Sequence, residues 1–170
     1  MVNEVDIARA LTRIAHEILE RKQGSENLAI LGIPTGGAHL SMRIAEIISK
    51  IEGRQIDSGT LDVTLHRDDL RIRAPRALMP TVPPSSGIEG RDVVLVDDVL
   101  FSGRTIRAAL DALGELGRPR TVQLAVLIDR GHRELPIKAD YVGKNLPTNK
   151  GQSVQVLLTE VDGRDEVIVG

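Results

Sequence analysis

Two aspartates stand side by side, Asp97 and Asp98, directly after the apolar run Val93-Val94-Leu95-Val96. Four residues after Asp98 comes Ser102-Gly103-Arg104-Thr105, two hydroxyls and a cation around a glycine. Adjacent carboxylates repel a bare phosphate, but they suit sugar hydroxyls or a hard cation. A small polar turn that opens a helix suits a phosphate, because the first N–H groups of a helix are unpartnered and carry partial positive charge. Gly103 lets the backbone approach closely, and Ser102 and Thr105 add hydroxyl donors. A phosphorylated ribose with Mg²⁺ satisfies both ends. The plain alternative is an acidic strand end and a capped helix. No Gly-x-x-x-x-Gly-Lys-Ser/Thr and no Gly-x-Gly-x-x-Gly after a strand is present, which removes the two commonest phosphate fingerprints.

These side chains need a sheet end to stand on. Val93 to Val96 is uninterrupted in its apolarity, the mark of a strand buried on both faces. Leu28 to Ile33 and Val122 to Ile128 read the same way. Between them lie helices phased by Leu40, Ile44, Ile47 and Ile51, and by Ile106, Ala109, Leu110 and Leu113. The first segment, Asn3 to Lys22, is an amphipathic helix with Ile7, Leu11, Ile14 and Ile18 on one face. Arg9, Arg13, His16 and Glu20 lie on the other. Alternating strands and helices predict an α/β fold with a central parallel sheet flanked by helices, in a single domain spanning 1–170. In such sheets the ligand crevice lies at the carboxyl ends of the strands, where Asp97 and Asp98 fall. The stretch 67–90 is charged, then rich in Pro and Ser, and reads as a mobile loop or a hairpin with a turn. The tail breaks into short strands at Tyr141–Val142, Val154–Val161 and Glu166–Val169.

Composition excludes other classes. The chain has 170 residues, one Phe, one Tyr, no Trp and no Cys, with a net charge of −2. Disulfides, thiolate metal sites and cysteine nucleophiles are therefore absent, and an aromatic platform for single-stranded nucleic acid is not available. No apolar run approaches the roughly 18–20 residues of a membrane span, and the amino terminus lacks a signal-peptide layout, which predicts a cytoplasmic protein.

The segment Val93–Thr105 resembles the 5-phosphoribosyl-1-pyrophosphate (PRPP) motif of type I phosphoribosyltransferases. The tail strings Asp129-Arg130-Gly131-His132-Arg133-Glu134-Leu135-Pro136-Ile137 and Ala139–Asn145 carry the likeness further. So do Ala10–Ile18, Leu61–Leu65 and Arg67–Leu70. Together they point to one branch, the bifunctional pyrimidine operon attenuation proteins and uracil phosphoribosyltransferases. The resemblance implies the type I fold with a small carboxyl-terminal hood, about 129–170. It implies that Asp97 and Asp98 grip the ribose 2′ and 3′ hydroxyls, that Leu100, Phe101, Ser102, Gly103, Arg104 and Thr105 form the 5′-phosphate loop, and that Val99 beside it also binds substrate. A pyrophosphate loop falls on Gly32–Gly37, with Thr35, Gly36 and Gly37 at the ligand. Here the sequence departs from relatives that carry Arg where Gly36 stands, so pyrophosphate affinity would be lower or supplied from elsewhere. Arg67, Arg71 and Arg73 would reach the pyrophosphate from the mobile loop. Arg130 and Arg133 would contact pyrophosphate or base, with Ile137, Ala139 and Asp140 near the base. His132 reads as structural.

The reaction implied is uracil plus PRPP giving uridine monophosphate (UMP) and pyrophosphate. Mg²⁺ would be held mainly through PRPP rather than by a dedicated protein site. The same branch binds pyrimidine operon mRNA in response to uridine nucleotides, UMP and UTP. Thr12, Arg13, His16, Arg21 and Lys150 would form that face, doubled across a homodimer or within a homotetramer. A purine salvage enzyme without RNA binding, or a regulator with little turnover, remains open from the sequence.

Overall fold

The computed structural model describes residues 2–67 and 80–170. Helix α1 (Glu4–Lys22) is held at its start by a reciprocal capping box. The Asn3 side chain accepts from the Asp6 N–H, and the Asp6 side chain accepts from the Asn3 N–H. Its apolar stripe, Ile7, Leu11, Ile14, Ala15 and Ile18, is fully inside. Removing one such side chain, as in Ile14→Ala, would cost about 2–5 kcal/mol.

Strand β1 (Leu28–Gly32), helix α2 (Gly36–Glu52) and strand β2 (Asp57–Thr60) follow. A 3₁₀ turn spans Thr64–His66. Then come β3 (Asp92–Leu100), α3 (Arg104–Leu116), β4 (Thr121–Asp129) and β5 (Tyr141–Asn145). These five strands form one parallel sheet in the order β2-β1-β3-β4-β5. The chain runs outward from β1 to β2, then restarts at β3 and runs the other way. The sheet therefore has its topological switch point between β1 and β3, where open α/β sheets open their crevice.

Two cores result. On one face α1 and α2 cover Leu28, Ile30, Val94, Val96 and Leu127. On the other, α3 residues Ile106, Ala109 and Leu113 pack with Ala29, Leu31, Val93, Leu95 and Val126. The near-absence of aromatics leaves this packing to Ile, Leu, Val and Ala. Within α2 the buried row is Leu40, Ile44 and Ile48, whereas Ile51 of the expected phase is 43% exposed. Ile51 sits in the last turn before the Gly53 stop, on the flank of the stripe. Leu110 of α3 is likewise exposed.

The tail is divided. Tyr141–Asn145 is the edge strand of the central sheet, anchored by the buried Tyr141, whose hydroxyl donates to Gln123. The antiparallel part is β6 (Val154–Leu157) with β7 (Glu166–Val169), joined through α4 (Thr159–Asp162). The expected strand over Val154–Val161 thus ends at Leu157, and Val161 is an exposed helical residue. Val2 adds a bridge to Val167, so the two ends of the chain build this small layer together. Arg43 of α2 clamps it down through Glu160 and Asp165.

Candidate active site

The turn after β1 and the carboxyl end of β3 are in direct contact. The Ile33 N–H donates to the Val96 carbonyl at 2.9 Å. A Cβ on Gly37 would meet that same carbonyl oxygen at 2.3 Å. Only glycine permits this approach, which brings the start of α2 against the acid pair. Thr35 is the exposed residue just before α2, and no side chain caps that helix. Helix α3 likewise starts uncapped, after Gly103 in the left-handed region at φ 94°. Two helix amino ends therefore open onto the crevice between β1 and β3, and neither has a capping hydrogen bond from its N-cap side chain.

Asp97 is buried, and its Oδ1 accepts from the Asp98 N–H at 2.9 Å. Asp98 is half-buried and accepts from the Val99 N–H at 2.8 Å. Burial, with the Asp98 charge second, pushes the Asp97 carboxyl well above the usual carboxylate range, and Arg67 pulls against this. A buried acid beside a second acid accommodates a cation or a polyol whose hydroxyls donate to the carboxylates.

The expected 5′-phosphate segment divides by role. Val99 and Leu100 complete the strand and turn into the two cores. Ser102, Gly103, Arg104 and Thr105 form the turn and the first helical residues. The Ser102 hydroxyl accepts from the Arg104 N–H at 3.3 Å. The Arg67 guanidinium donates to the Thr105 hydroxyl at 2.9 Å.

The Arg130-to-Ile137 stretch folds over this turn. Ile137 and Leu135 stand 3.1 and 3.5 Å from where a Gly103 Cβ would be. The Glu134 and Leu135 N–H groups donate to the Ser102 carbonyl, and Glu134 pairs with Arg104 at 3.0 Å. Glu134 and Leu135 were not singled out from the sequence as site residues. Their signal was Pro136, which marks a fixed turn just after them. Arg133 donates to the carbonyls of Phe101 and Ile137 and pairs with Asp129 at 2.6 Å. Arg130 is buried, with its guanidinium 4.2 Å from the Phe101 ring centroid and donating to the carbonyls of Asn149 and Gln152. His132 bonds the Thr148 carbonyl. These basic groups thus brace the Ser102–Thr105 turn against the tail.

Other expected residues fall elsewhere. Ala139 is buried in the α3-side core. Asp140 bonds the Leu124 N–H at the amino half of β4, away from the crevice. Of the stretch 67–90 expected to form a loop, 68–79 lie outside the described residues, Arg71 and Arg73 among them. Residues 80–90 dock along β2: Val82 bridges Thr60, and Ser85 and Ser86 bond Asp57, which also pairs with Arg91 at 3.0 Å. A concavity of about 390 Å³ near Ser25, Arg54 and Arg91 lies at the amino ends of the strands, opposite the acid pair.

On α1, Thr12, Arg13, His16 and Arg21 are exposed. Arg13 donates to the carbonyls of Val142 and Gly143 at 3.2 and 2.5 Å, joining α1 to the edge strand β5. Arg21 lies over the Tyr141 ring at 5.5 Å. Lys150 is exposed in the loop after β5, which Arg130 and His132 hold in place.

Comparison with known proteins matches residues 2–160 to the phosphoribosyl transferase domain. The curated "Bifunctional protein PyrR" of Streptomyces coelicolor is 64% identical over 165 residues, covering 97% of this chain and 86% of the relative. Its namesake from Corynebacterium glutamicum is 56% identical, covering 98% and 89%. The chain belongs to the phosphoribosyltransferase family, in its PyrR branch. Among solved structures, the hypoxanthine phosphoribosyltransferase of Trypanosoma cruzi superposes with a TM-score of 0.73 at 18% identity, covering 99% of this chain and 94% of that one. A Staphylococcus aureus hypoxanthine phosphoribosyltransferase gives 0.67 at 21%, covering 88% and 78%. At that identity the solved structures attest the fold alone, the type I phosphoribosyltransferase architecture expected from the sequence. No helix among the described residues is long and apolar enough to cross a membrane.

Proposed function

We propose that the crevice between β1 and β3 joins uracil to PRPP, giving UMP and pyrophosphate, and that the same chain binds pyrimidine operon mRNA. The observation that carries the enzymatic reading is the convergence of the Asp97-Asp98 pair with two uncapped helix starts, α2 and α3. The α3 start, with Ser102 and Thr105, holds the 5′-phosphate. The Gly36-Gly37 turn at the α2 start holds the pyrophosphate through backbone N–H groups. Asp97 and Asp98 lie between and hold the ribose 2′ and 3′ hydroxyls. Their negative charge favours positive charge developing on the sugar as the bond from C1 to pyrophosphate breaks. The base enters from the side of Ile137, and the new bond from its ring nitrogen to C1 forms in line. No covalent nucleophile is required.

Oxygen donors of this kind fit Mg²⁺. Among the described residues no cluster of three or more metal-ligating side chains exists, and the Asp97-Asp98 pair is what would face a Mg²⁺ carried by PRPP. When bound, it neutralises charge on the leaving pyrophosphate.

The regulatory half rests on the face shared by α1 and β5. Arg13, Arg21, His16 and Lys144 lie along that edge, with Thr12 beside them and Lys150 in the following loop. A homodimer doubles this face into a basic surface despite the net charge of −2. The working compartment is the cytoplasm, where both PRPP and messenger RNA occur.

Turnover with uracil, hypoxanthine and guanine in parallel, each with PRPP and Mg²⁺, tests the enzymatic reading. Product with uracil alone is the expected result. Product with the purines alone would contradict the choice of base while leaving the phosphoribosyl site standing.

A further inference from the structure

Arg67 follows the 3₁₀ turn Thr64–His66, and that turn is docked on α3. His66 Nε2 lies 3.3 Å from Glu115 Oε1, and Arg67 Nη1 donates to Thr105 Oγ1 at 2.9 Å. Thr105 is the second residue of α3, inside the turn that opens toward a phosphate. The charge of Arg67 also acts on the buried Asp97 carboxyl. The guanidinium is thus bonded to the phosphate turn and near enough to the acid pair for its charge to be felt there. The sequence alone suggested a different partner, the pyrophosphate. The pyrophosphate turn, however, opens α2 and abuts Val96 and Asp98, whereas the Arg67 hydrogen bond goes to the α3 start.

We propose that Arg67 is a ligand of the ribose 5′-phosphate, resting on the Thr105 hydroxyl until that phosphate arrives. The inference rests on the crevice taking phosphoribosyl ligands and specifies which end Arg67 serves. A guanidinium matches a phosphate in charge and in the geometry of its paired donors. Donation to Thr105 Oγ1 leaves the hydroxyl proton free for a phosphate oxygen, so side chain and hydroxyl can grip the same group. Arg67 would also bring a second guanidinium to a turn whose own Arg104 is paired with Glu134.

UMP and inorganic pyrophosphate separate the two ends, since UMP carries the 5′-phosphate and no pyrophosphate. Calorimetric titration of the full chain with each, in Mg²⁺, compares the unaltered protein with Arg67→Gln and Arg67→Lys. Arg67→Gln should weaken UMP binding about ten- to a hundredfold, keep pyrophosphate within about twofold, and regain part of the UMP loss as Arg67→Lys. Pyrophosphate loss with UMP unchanged, or equal loss of both, would overturn the proposal. If the unaltered protein bound neither UMP nor PRPP, the reading of the crevice itself would fall with it.

Discussion

Gly36 and Asp98 touch across the gap between β1 and β3: a Cβ placed on Gly36 would stand 2.6 Å from Oδ2 of Asp98. The absent side chain is what leaves the Asp98 carboxylate its position. The neighbouring Gly37 faces backbone instead, with the Val96 carbonyl oxygen 2.3 Å from its would-be Cβ. A carboxylate can swing away, whereas a carbonyl inside a central strand cannot. Gly36→Ala should therefore raise the KM for PRPP with little change in melting temperature. Gly37→Ala should lose activity and stability together, by about 1–3 kcal/mol. Steady-state kinetics beside thermal melts would check the contrast.

Asp97 carries a cost for its role. Burial and the adjacent Asp98 raise its carboxyl in the folded chain. Such an acid holds its proton more tightly folded than unfolded. Its contribution to stability is therefore present below the ordinary carboxylate pKa and is lost as pH rises through the raised folded value. Asp97→Asn should melt about 2–4 °C higher near neutral pH, the gain shrinking toward acid pH. Activity of the unaltered chain should move oppositely, rising with pH as Asp97 ionises. A pH series of melts and of kcat/KM would reveal both signs.

Arg43 holds the β6–β7 layer to α2 through Glu160 and Asp165. The guanidinium beside Asp165 draws its carboxyl down to about 2. That contribution to stability is present above the ordinary carboxylate pKa and is lost as pH falls through about 2. Arg43→Ala should destabilise the chain by about 1–3 kcal/mol and should speed amide exchange in β6 and β7 first. Hydrogen exchange read by segment measures this.

Lys150 and Arg13 should behave differently toward RNA. Lys150 is exposed, and Lys150→Ala should lower the salt dependence of RNA binding by about one unit of slope with the fold intact. Arg13→Ala should weaken RNA binding and also loosen the edge strand, because its guanidinium holds the Val142 and Gly143 carbonyls. Filter binding over a salt series, with a melt for each variant, separates the two effects.

The parts legible in the sequence were those with local period or local chemistry. The apolar run before Asp97, the small turn after it and the stripe Ile7-Leu11-Ile14-Ile18 all came out where the spacing put them. What escaped depends on partners far apart in the chain. Arg43 meets Glu160 across 117 positions, and Arg67 meets Thr105 across 38. Nothing near either residue announces the partner. Tyr141–Asn145 looked like part of a separate tail because its neighbour in the sheet, β4, is reached through an irregular stretch rather than a helix. The closeness of Gly36 to Asp98 was hidden for the same reason: it exists only once β1 and β3 lie side by side.

The central claim is that Asp97 and Asp98 hold the ribose of PRPP in the switch-point crevice. UMP formation from uracil, PRPP and Mg²⁺ by the unaltered chain and by the Asp97→Asn/Asp98→Asn double variant tests it most directly. The expected result is uracil-dependent turnover that the double variant loses by at least about a hundredfold while remaining folded. Turnover undiminished in the double variant would contradict it.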